Sequence, residues 1–247
     1  MKKQTAFVIA KIILILFVCL MVYKLYTPVM YSFGFTDEGD NISIGQYLLL
    51  NKKLYTEVFS QHQPLTYYLS AGIQYVVQPD NILLVVRRHR QFVLLFSFAW
   101  IAFLTLRYGL SLLPIFTLLE VVKYYLLGHL FLAESIVIYP FIYLTLLFVQ
   151  VFQKKKTYAF ELILFSLSAF FVVFNLLPLA APIVLFAVLL LWKYRNEYQK
   201  LFALLIPGIM VSALLFLHVP LDGYLEGTVW ANLFYYIPNS TKVDFNV

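Results

Sequence analysis

Three acidic residues, Asp37, Glu38 and Asp40, fall within a stretch of four positions in a chain in which only 12% of the residues are charged. A positioned carboxylate can remove the proton of an attacking hydroxyl group, and such proton transfer typically contributes about 10²–10⁴-fold to a reaction rate. The structural alternative is a solvated helix N-terminus, where the helix dipole favours acidic side chains. The cluster is therefore a candidate centre for acid–base chemistry.

A second polar motif, Gln61-His-Gln-Pro-Leu65, follows the acidic cluster along the chain. Because no second His stands at metal-ligand spacing, we expect His62 to shape its loop or to contact a bound molecule rather than to ligate a metal ion. The single Cys19 lies in an apolar run, so the sequence offers neither a disulfide framework nor a metal–thiolate site. No metal-ligating set is predicted.

The elements that must position these residues are membrane helices. The chain is 62% hydrophobic with a mean hydropathy of +0.84, whereas soluble domains are about 45–50% apolar and about 25% charged. A bilayer core requires about 20 apolar residues per helical span, and lipid offers no partners for an unpaired backbone. The predicted fold class is an all-α polytopic membrane protein of about seven spans, at residues 6–28, 82–106, 109–127, 131–152, 158–176, 178–194 and 201–219.

Basic residues gather at the ends of these runs, notably at 154–156, Lys193 and Arg195. This distribution explains the net charge of +6 without a nucleic-acid partner. The positive-inside rule then predicts a multi-pass cell-membrane protein with a cytoplasmic N-terminus. Residues 29–81 become an outer loop and residues 220–247 an extracytoplasmic tail, which ends so abruptly that we expect truncation.

The outer loop is predicted to form two short helices that lie on the membrane. On the first, Asp37, Asp40 and Asn41 share a face by their i, i+3 and i+4 spacing. The second opens at Pro64, a residue that suits the first helical position. Its apolar residues follow the 3.6-residue period of an interfacial amphipathic helix: Leu65, Tyr68, Leu69, Gly72, Ile73 and Val76.

Taken together, these features resemble the membrane glycosyltransferases of the GT-C superfamily. The Asp-Glu pair follows an N-terminal span, and His62-Gln-Pro-Leu65 precedes a Tyr-Tyr-Leu helix. The closest branch contains protein O-mannosyltransferases and aminoarabinose transferases (glycosyltransferase family 39 and bacterial relatives). The resemblance covers most of residues 1–247 and matches the N-terminal module of that fold. The chain departs from the family in length, because such enzymes carry further spans and often an outer C-terminal domain.

The resemblance implies an inverting transfer of a sugar from a polyprenyl-phosphate donor to an acceptor, which is a glycan, lipid or protein. Asp37 maps onto the catalytic base of the family, and Glu38 is expected to orient the acceptor or the base. His62 would contact the acceptor. Two acids and a phosphate could also hold a divalent cation through oxygen ligands, so that cofactor is left open.

The substrate-binding residues implied by the resemblance are Arg88, Arg90 and Glu134. Guanidinium groups bind phosphate bidentately, and Arg88 or Arg90 is preferred over Arg87 for the leaving lipid phosphate. The alternative for these arginines is contact with lipid headgroups. Glu134 is expected to face the same outer cavity as the acidic cluster.

Two further function classes remain open at this stage. A transporter or lipid flippase would line a pathway with its intramembrane charges and would tend to show inverted repeats. In this chain Glu120 and Lys123, at i and i+3, are instead expected to neutralise each other. The other class is an inactive fragment of the enzyme.

Overall fold

The computed structural model describes residues 2–32 and 36–236, and within these ranges the chain is helical without β-strands. The α-helices are α1 (Lys2–Tyr26), α2 (Thr36–Leu49), α3 (Pro64–Val77), α4 (Ile82–Tyr108), α5 (Leu112–Tyr125), α6 (Ala133–Phe152), α7 (Ala159–Val173), α8 (Ala180–Lys193), α9 (Tyr198–Phe216) and α10 (Leu221–Tyr224). Short 3₁₀ turns cover Thr27–Val29 and Leu177–Leu179, and a π-helix covers Leu225–Tyr236. Residues 237–247, on which the expectation of truncation rests, lie outside the described part.

Four segments are long and apolar enough to cross a membrane: Val8–Val29, α4, α6 and α9. This confirms the prediction of an all-helical fold, and the four apolar helices suggest a membrane protein. The other three predicted spans are also helical, but α5, α7 and α8 have 14, 15 and 14 residues. At 1.5 Å per residue they are about 21–23 Å long, which is less than the roughly 30 Å of a bilayer core. The seven-span count stays a prediction.

Side chains on α1 and α9 show why these helices suit lipid. Ile13 is 61% exposed and Met210 is 60% exposed, and most of both helices is similarly uncovered by protein. Apolar side chains with no protein neighbour require an apolar solvent, which the bilayer supplies. By contrast, α6 packs against α4 and α7, and α7 packs against α9, so that α6 lies at the centre of the bundle.

Local sequence signals fix several helix ends. α3 begins at Pro64, as predicted. α4 begins after Asn81, whose side-chain oxygen accepts a hydrogen bond of 3.0 Å from the backbone N–H of Leu84. Such a cap satisfies one of the N–H groups that the first helical turn leaves without a partner.

α2 and α3 pack at very close range through small residues. A Cβ atom added to Gly45 would lie 2.4 Å from Oγ of Ser70, so the two backbones can approach only because residue 45 lacks a side chain. The buried Gln74 side chain donates a hydrogen bond of 2.9 Å to the carbonyl oxygen of Ile42.

Of the predicted apolar stripe of α3, only Gly72 and Val76 are exposed. Leu69 and Ile73 pack against a buried cluster that includes Val93 and Phe131, so much of the stripe faces protein.

Candidate active site

A cavity of about 480 Å³ lies where α2, the residues before α3, the start of α6 and the π-helix meet. We call it the acidic cavity. Its lining consists of Asp37, Asn41, Gln61, His62, Gln63, Thr66, Leu132, Ala133, Glu134, Asn175, Leu176, Leu177, Pro178, Thr228, Val229, Asn232 and Leu233. The lining is mainly apolar in area and carries a small number of convergent polar groups, which is the usual character of a small-molecule site.

Three of the predicted site residues line this cavity together. Asp37 comes from the first turn of α2, His62 from the segment before α3, and Glu134 from the first turn of α6. Asp37 is half-buried, and the other two are exposed. Neither carboxylate accepts a hydrogen bond or forms an ion pair within the described residues, so both are open to a bound molecule.

Glu38, next to Asp37 in the sequence, points away from the cavity into a buried ion pair with Arg90. Nε of Arg90 donates to Oε1 of Glu38 at 3.0 Å, and Nη2 donates to Oε2 at 2.6 Å. The Glu38 side chain is 5% exposed and the Arg90 side chain is 1% exposed. Two parallel N–H···O bonds between planar groups form the strongest common type of ion pair, and enclosure strengthens the attraction further.

The remaining groups of this ion pair are also satisfied. Nη1 of Arg90 donates to the carbonyl oxygen of Val29 at 2.6 Å and to Oγ of Ser32 at 3.1 Å. The backbone N–H of Phe131 donates to Oε1 of Glu38 at 2.9 Å. The pair thus joins α2, α4, the segment that follows α1 and the segment that leads into α6. Neither residue lines the cavity, and the arrangement fits positioning groups rather than substrate ligands.

The other arginines of the cluster lie on the exposed side of α4. Nη1 of Arg88 donates to Oε1 of Gln91 at 2.9 Å, and Arg87 bonds the hydroxyl of Tyr31 while its guanidinium packs over the same ring. Neither lines the acidic cavity. Their expected contact with a lipid phosphate stays a prediction; Arg88 is exposed, whereas Arg87 is partly buried.

Sequence reasoning missed several amide and hydroxyl side chains of the cavity wall. Thr66 donates to Oδ1 of Asn175 at 2.7 Å, and Asn41 donates to the carbonyl oxygen of Phe131 at 3.0 Å. A signal existed for Asn41, since it shares the predicted face of Asp37. Asp40 belongs to the same predicted face, yet it is exposed and does not line the cavity. For Asn175 the available signal was a lone amide between two apolar runs.

The segment from α10 through the π-helix closes one side of the cavity. The hydroxyl of Tyr224 donates to Oε1 of Gln63 at 2.9 Å, and Nδ2 of Asn232 donates to the carbonyl oxygen of Gln61 at 2.8 Å. A Cβ atom on Gly227 would lie 2.6 Å from the carbonyl oxygen of Ser60. These contacts hold the backbone before His62 and the side chain of Gln63 after it, and therefore limit where the imidazole of His62 can reach.

A tyrosine beneath this loop supports it from within. The hydroxyl of Tyr55 donates to the carbonyl oxygen of His62 at 2.7 Å. Burial raises the pKa of Tyr55, with smaller contributions from the neighbouring Tyr67 and Tyr224, so its hydroxyl stays protonated and able to donate. Tyr55 is thus a fixed support for the loop that carries His62.

Glu120 and Lys123 form an ion pair of 2.9 Å, which confirms that they neutralise each other. Tyr139 donates to Oε1 of Glu120 at 2.5 Å and Tyr26 donates to Oε2 at 2.9 Å. Nζ of Lys123 also donates to Oγ of Ser97 at 3.1 Å. The charged groups of Glu120 and Lys123 are thus paired with buried protein groups. We therefore infer a structural role for this network.

No group of three or more His, Cys, Asp or Glu side chains suited to a metal ion occurs among the described residues. Asp37 and Glu134 nevertheless supply the oxygen atoms that Mg²⁺ and Ca²⁺ prefer, and these cations complete their shells with water and substrate phosphate. The question whether protein and substrate phosphate together bind a divalent cation at this cavity therefore stays open.

Comparisons with protein-family models, with curated proteins and with solved structures found no match to this chain.

Proposed function

We propose that this chain is a GT-C-type membrane glycosyltransferase that transfers a sugar, with inversion, from a polyprenyl-phosphate donor to an acceptor hydroxyl. The observation that supports this most is the convergence of Asp37, His62 and Glu134 on one cavity. The resemblance had selected these residues from three separate stretches of sequence. The proposal includes the seven-span arrangement, in which local bilayer thinning and the flanking residues accommodate the short helices α5, α7 and α8.

In the proposed reaction the acceptor oxygen attacks the anomeric carbon while Asp37 takes up its proton. The new carbon–oxygen bond forms as the bond between the anomeric carbon and the phosphate oxygen breaks, and polyprenyl phosphate leaves with the electron pair. A carboxylate without a protein hydrogen-bond partner is free to accept the incoming hydroxyl, as general-base catalysis requires. Asp37 meets this requirement, whereas the fully paired Glu38 does not.

The charge of the cavity bears on how the donor phosphate is held. Asp37 and Glu134 line it, and the lining contains no Lys or Arg side chain. An anionic phosphate beside two carboxylates requires a compensating cation. We propose that the phosphate stays outside the lining and that the exposed Arg88 compensates its charge there. In the second arrangement, Asp37 and Glu134 would hold a divalent ion that neutralises the phosphate within the cavity. Removal of divalent ions with a chelator separates the two, since only the second loses donor binding.

Asp37→Asn tests the assignment of the base, because the amide keeps the size of the side chain but cannot accept the proton. The protein would be purified and supplied in turn with short-chain polyprenyl-phosphate mannose and polyprenyl-phosphate aminoarabinose, and release of polyprenyl phosphate would be followed. We expect a loss of about 10²-fold or more in turnover. Donor affinity should stay nearly unchanged if Arg88 compensates the phosphate, and should fall if Asp37 helps to hold a divalent ion.

Asp40→Asn is the matched control, since it removes the same charge from an exposed position outside the cavity. It should turn over at close to the wild-type rate. Equal rates for folded Asp37→Asn and wild type would refute the role of the base. Donor lipid that is bound and moved between leaflets without release of sugar would identify a flippase instead.

A further inference from the structure

A second cavity, of about 490 Å³, lies at the opposite end of α4 and α6 and has the opposite charge. We call it the basic cavity. Its lining consists of Arg107, Tyr108, Leu112, Leu146, Val149, Gln150, Gln153, Lys155, Lys156 and Tyr158. Three cationic side chains therefore face it and no carboxylate does. Glu134 and Gln153 mark the two ends of α6, about 28 Å apart at 1.5 Å per residue.

The guanidinium of Arg107 is held in place by one hydrogen bond, which leaves its other nitrogen atoms available to a ligand. Its Nε donates to Oε1 of Glu161 at 2.6 Å, and Glu161 is fully buried while the Arg107 side chain is 29% exposed. Glu161 is fixed in turn by the backbone N–H of Tyr158, which donates to Oε2 at 2.8 Å. Within the described chain, Nη1 and Nη2 of Arg107 make no hydrogen bond. A fixed guanidinium with a free pair of amino groups is suited to bidentate contact with phosphate.

The two lysines are carried by an ordered turn. Lys154 adopts a left-handed conformation (φ 57°), which reverses the chain after α6. The backbone N–H of Lys155 then donates to the carbonyl oxygen of Gln150 at 3.2 Å, and the Gln150 side chain donates to the carbonyl oxygen of Lys156 at 2.8 Å. The turn thereby brings Lys155 and Lys156 to the cavity and leaves Lys154 outside its lining.

The basic cavity also contains an unpaired hydroxyl group and is bordered by exposed apolar side chains. The hydroxyl of Tyr108, a lining residue, is buried and has no hydrogen-bond partner in the described part of the chain. Beside the cations, Val149 is 43% exposed and Tyr158 is 45% exposed. Cationic groups and a free hydroxyl next to exposed apolar side chains match a phosphate that is attached to an acyl chain.

We propose that the basic cavity binds the phosphate of an anionic membrane lipid in the leaflet opposite the acidic cavity. The Nη groups of Arg107 contact two phosphate oxygens, Lys155 and Lys156 neutralise the remaining charge, and the acyl chains lie along the exposed side of α6. This site is independent of the proposed transfer reaction, because it shares no lining residue with the acidic cavity.

The test compares two double variants that lose the same charge. Lys155→Gln with Lys156→Gln removes both lysines of the cavity, whereas Lys154→Gln with Lys193→Gln removes two basic residues that do not line it. Each full-length protein would be titrated with phosphatidylglycerol in a phosphatidylcholine background, and the retained anionic lipid counted by native mass spectrometry. Loss of hydrogen bonds to a charged group weakens binding by about 1.5–3 kcal/mol, so we expect at least a roughly tenfold loss of affinity for the first variant only.

Equal losses in the two variants would overturn the site, because general attraction of basic residues to an anionic surface acts on both. Inorganic phosphate at matched ionic strength is the second arm. Failure to displace the lipid supports the lipid headgroup as the ligand. Saturable binding of inorganic phosphate that displaces lipid, and that requires Lys155 and Lys156, would show that the ligand is free phosphate and would refute a lipid site.

Discussion

The two ends of α6 carry cavities of nearly equal size, about 480 and 490 Å³, that use buried ion pairs in different ways. At the acidic end, Glu38 and Arg90 enclose each other and every group of Arg90 is occupied. At the basic end, Arg107 gives only its Nε to Glu161 and stays partly open. An ion pair beside a cavity can thus either hold helices together or contribute to ligand binding. The two cases differ in whether the arginine keeps N–H groups that make no hydrogen bond within the protein.

The largest expected effect follows from breaking the enclosed pair. Arg90→Met leaves the Glu38 carboxylate buried without its cation, and removal of one partner of a buried pair costs about 3–5 kcal/mol. We expect the free energy of unfolding in detergent, measured by denaturant titration, to fall by that amount. Arg88→Met is the control, because Arg88 is exposed on the same helix and should change little. Comparable losses for both variants would contradict the distinction between a support and a free arginine.

Adding Glu38→Gln to Arg90→Met sharpens this prediction. The neutral amide no longer requires a buried cation, so the double variant should recover part of the lost stability. Because residues in direct contact are not additive, the coupling energy of this cycle measures the interaction itself. Strict additivity would mean that the two side chains do not interact in solution.

A smaller effect is expected at the basic end. Arg107→Met leaves Glu161 without its cation, but the N–H of Tyr158 still donates to that carboxylate and the site is partly open to water. Loss of one charged hydrogen bond, weakened by solvent screening, suggests about 1–3 kcal/mol, measured by the same titration. A loss as large as that of Arg90→Met would show that the two pairs do not differ in enclosure.

The last effect is absent at neutral pH and develops only on acidification; it concerns His129 at the acidic end. Burial, and then the nearby charge of Arg90, lower the pKa of His129 from 6.5 to about 4, while Glu38 partly opposes the shift. Between these values the unfolded chain binds a proton that the folded chain does not. The contribution of His129 to stability is therefore complete above pH 6.5 and is lost as the pH falls towards 4.

His129→Gln should flatten the dependence of unfolding free energy on pH across this interval relative to wild type. The difference between the two curves isolates the contribution of His129 from that of the rest of the chain. Parallel curves for the two proteins would show that His129 titrates alike in the folded and unfolded states.

The sequence predicted helices well because a long apolar run, the main signal for a helix that could span a membrane, can be read directly from composition. α4, α6 and α9 begin and end close to their predicted positions, since long apolar runs have no other stable form in lipid. The lengths of α5, α7 and α8 were overestimated, because an apolar residue in a loop or a 3₁₀ turn reads the same as one in a helix. Hydropathy does not indicate the residue at which the backbone hydrogen bonds of a helix end.

The candidate site was predictable in part for a similar reason. Asp37, His62 and Glu134 stand out as polar residues in apolar surroundings, and the structure brings all three together. Arg90 stands out equally, but nothing in its residue type distinguishes a buried partner of Glu38 from an exposed lipid ligand. That distinction depends on three-dimensional enclosure, which arises from contacts between α2, α4 and the segment before α6.

The adjacency of Asp37 and Glu38 has a consequence for the register of α2. Successive residues of a helix point about 100° apart. Glu38, which pairs with Arg90, and Asp37, the candidate base, therefore have side-chain directions that are fixed relative to each other. A deletion of one residue inside α2, between Glu38 and the closely packed Gly45, would place Asp37 where Glu38 stands and so present the wrong carboxylate to Arg90. An insertion there would place Glu38 at the cavity instead. Length variation in this part of the chain is therefore excluded for as long as the ion pair is kept, although the loop beyond α2 is free of that restriction.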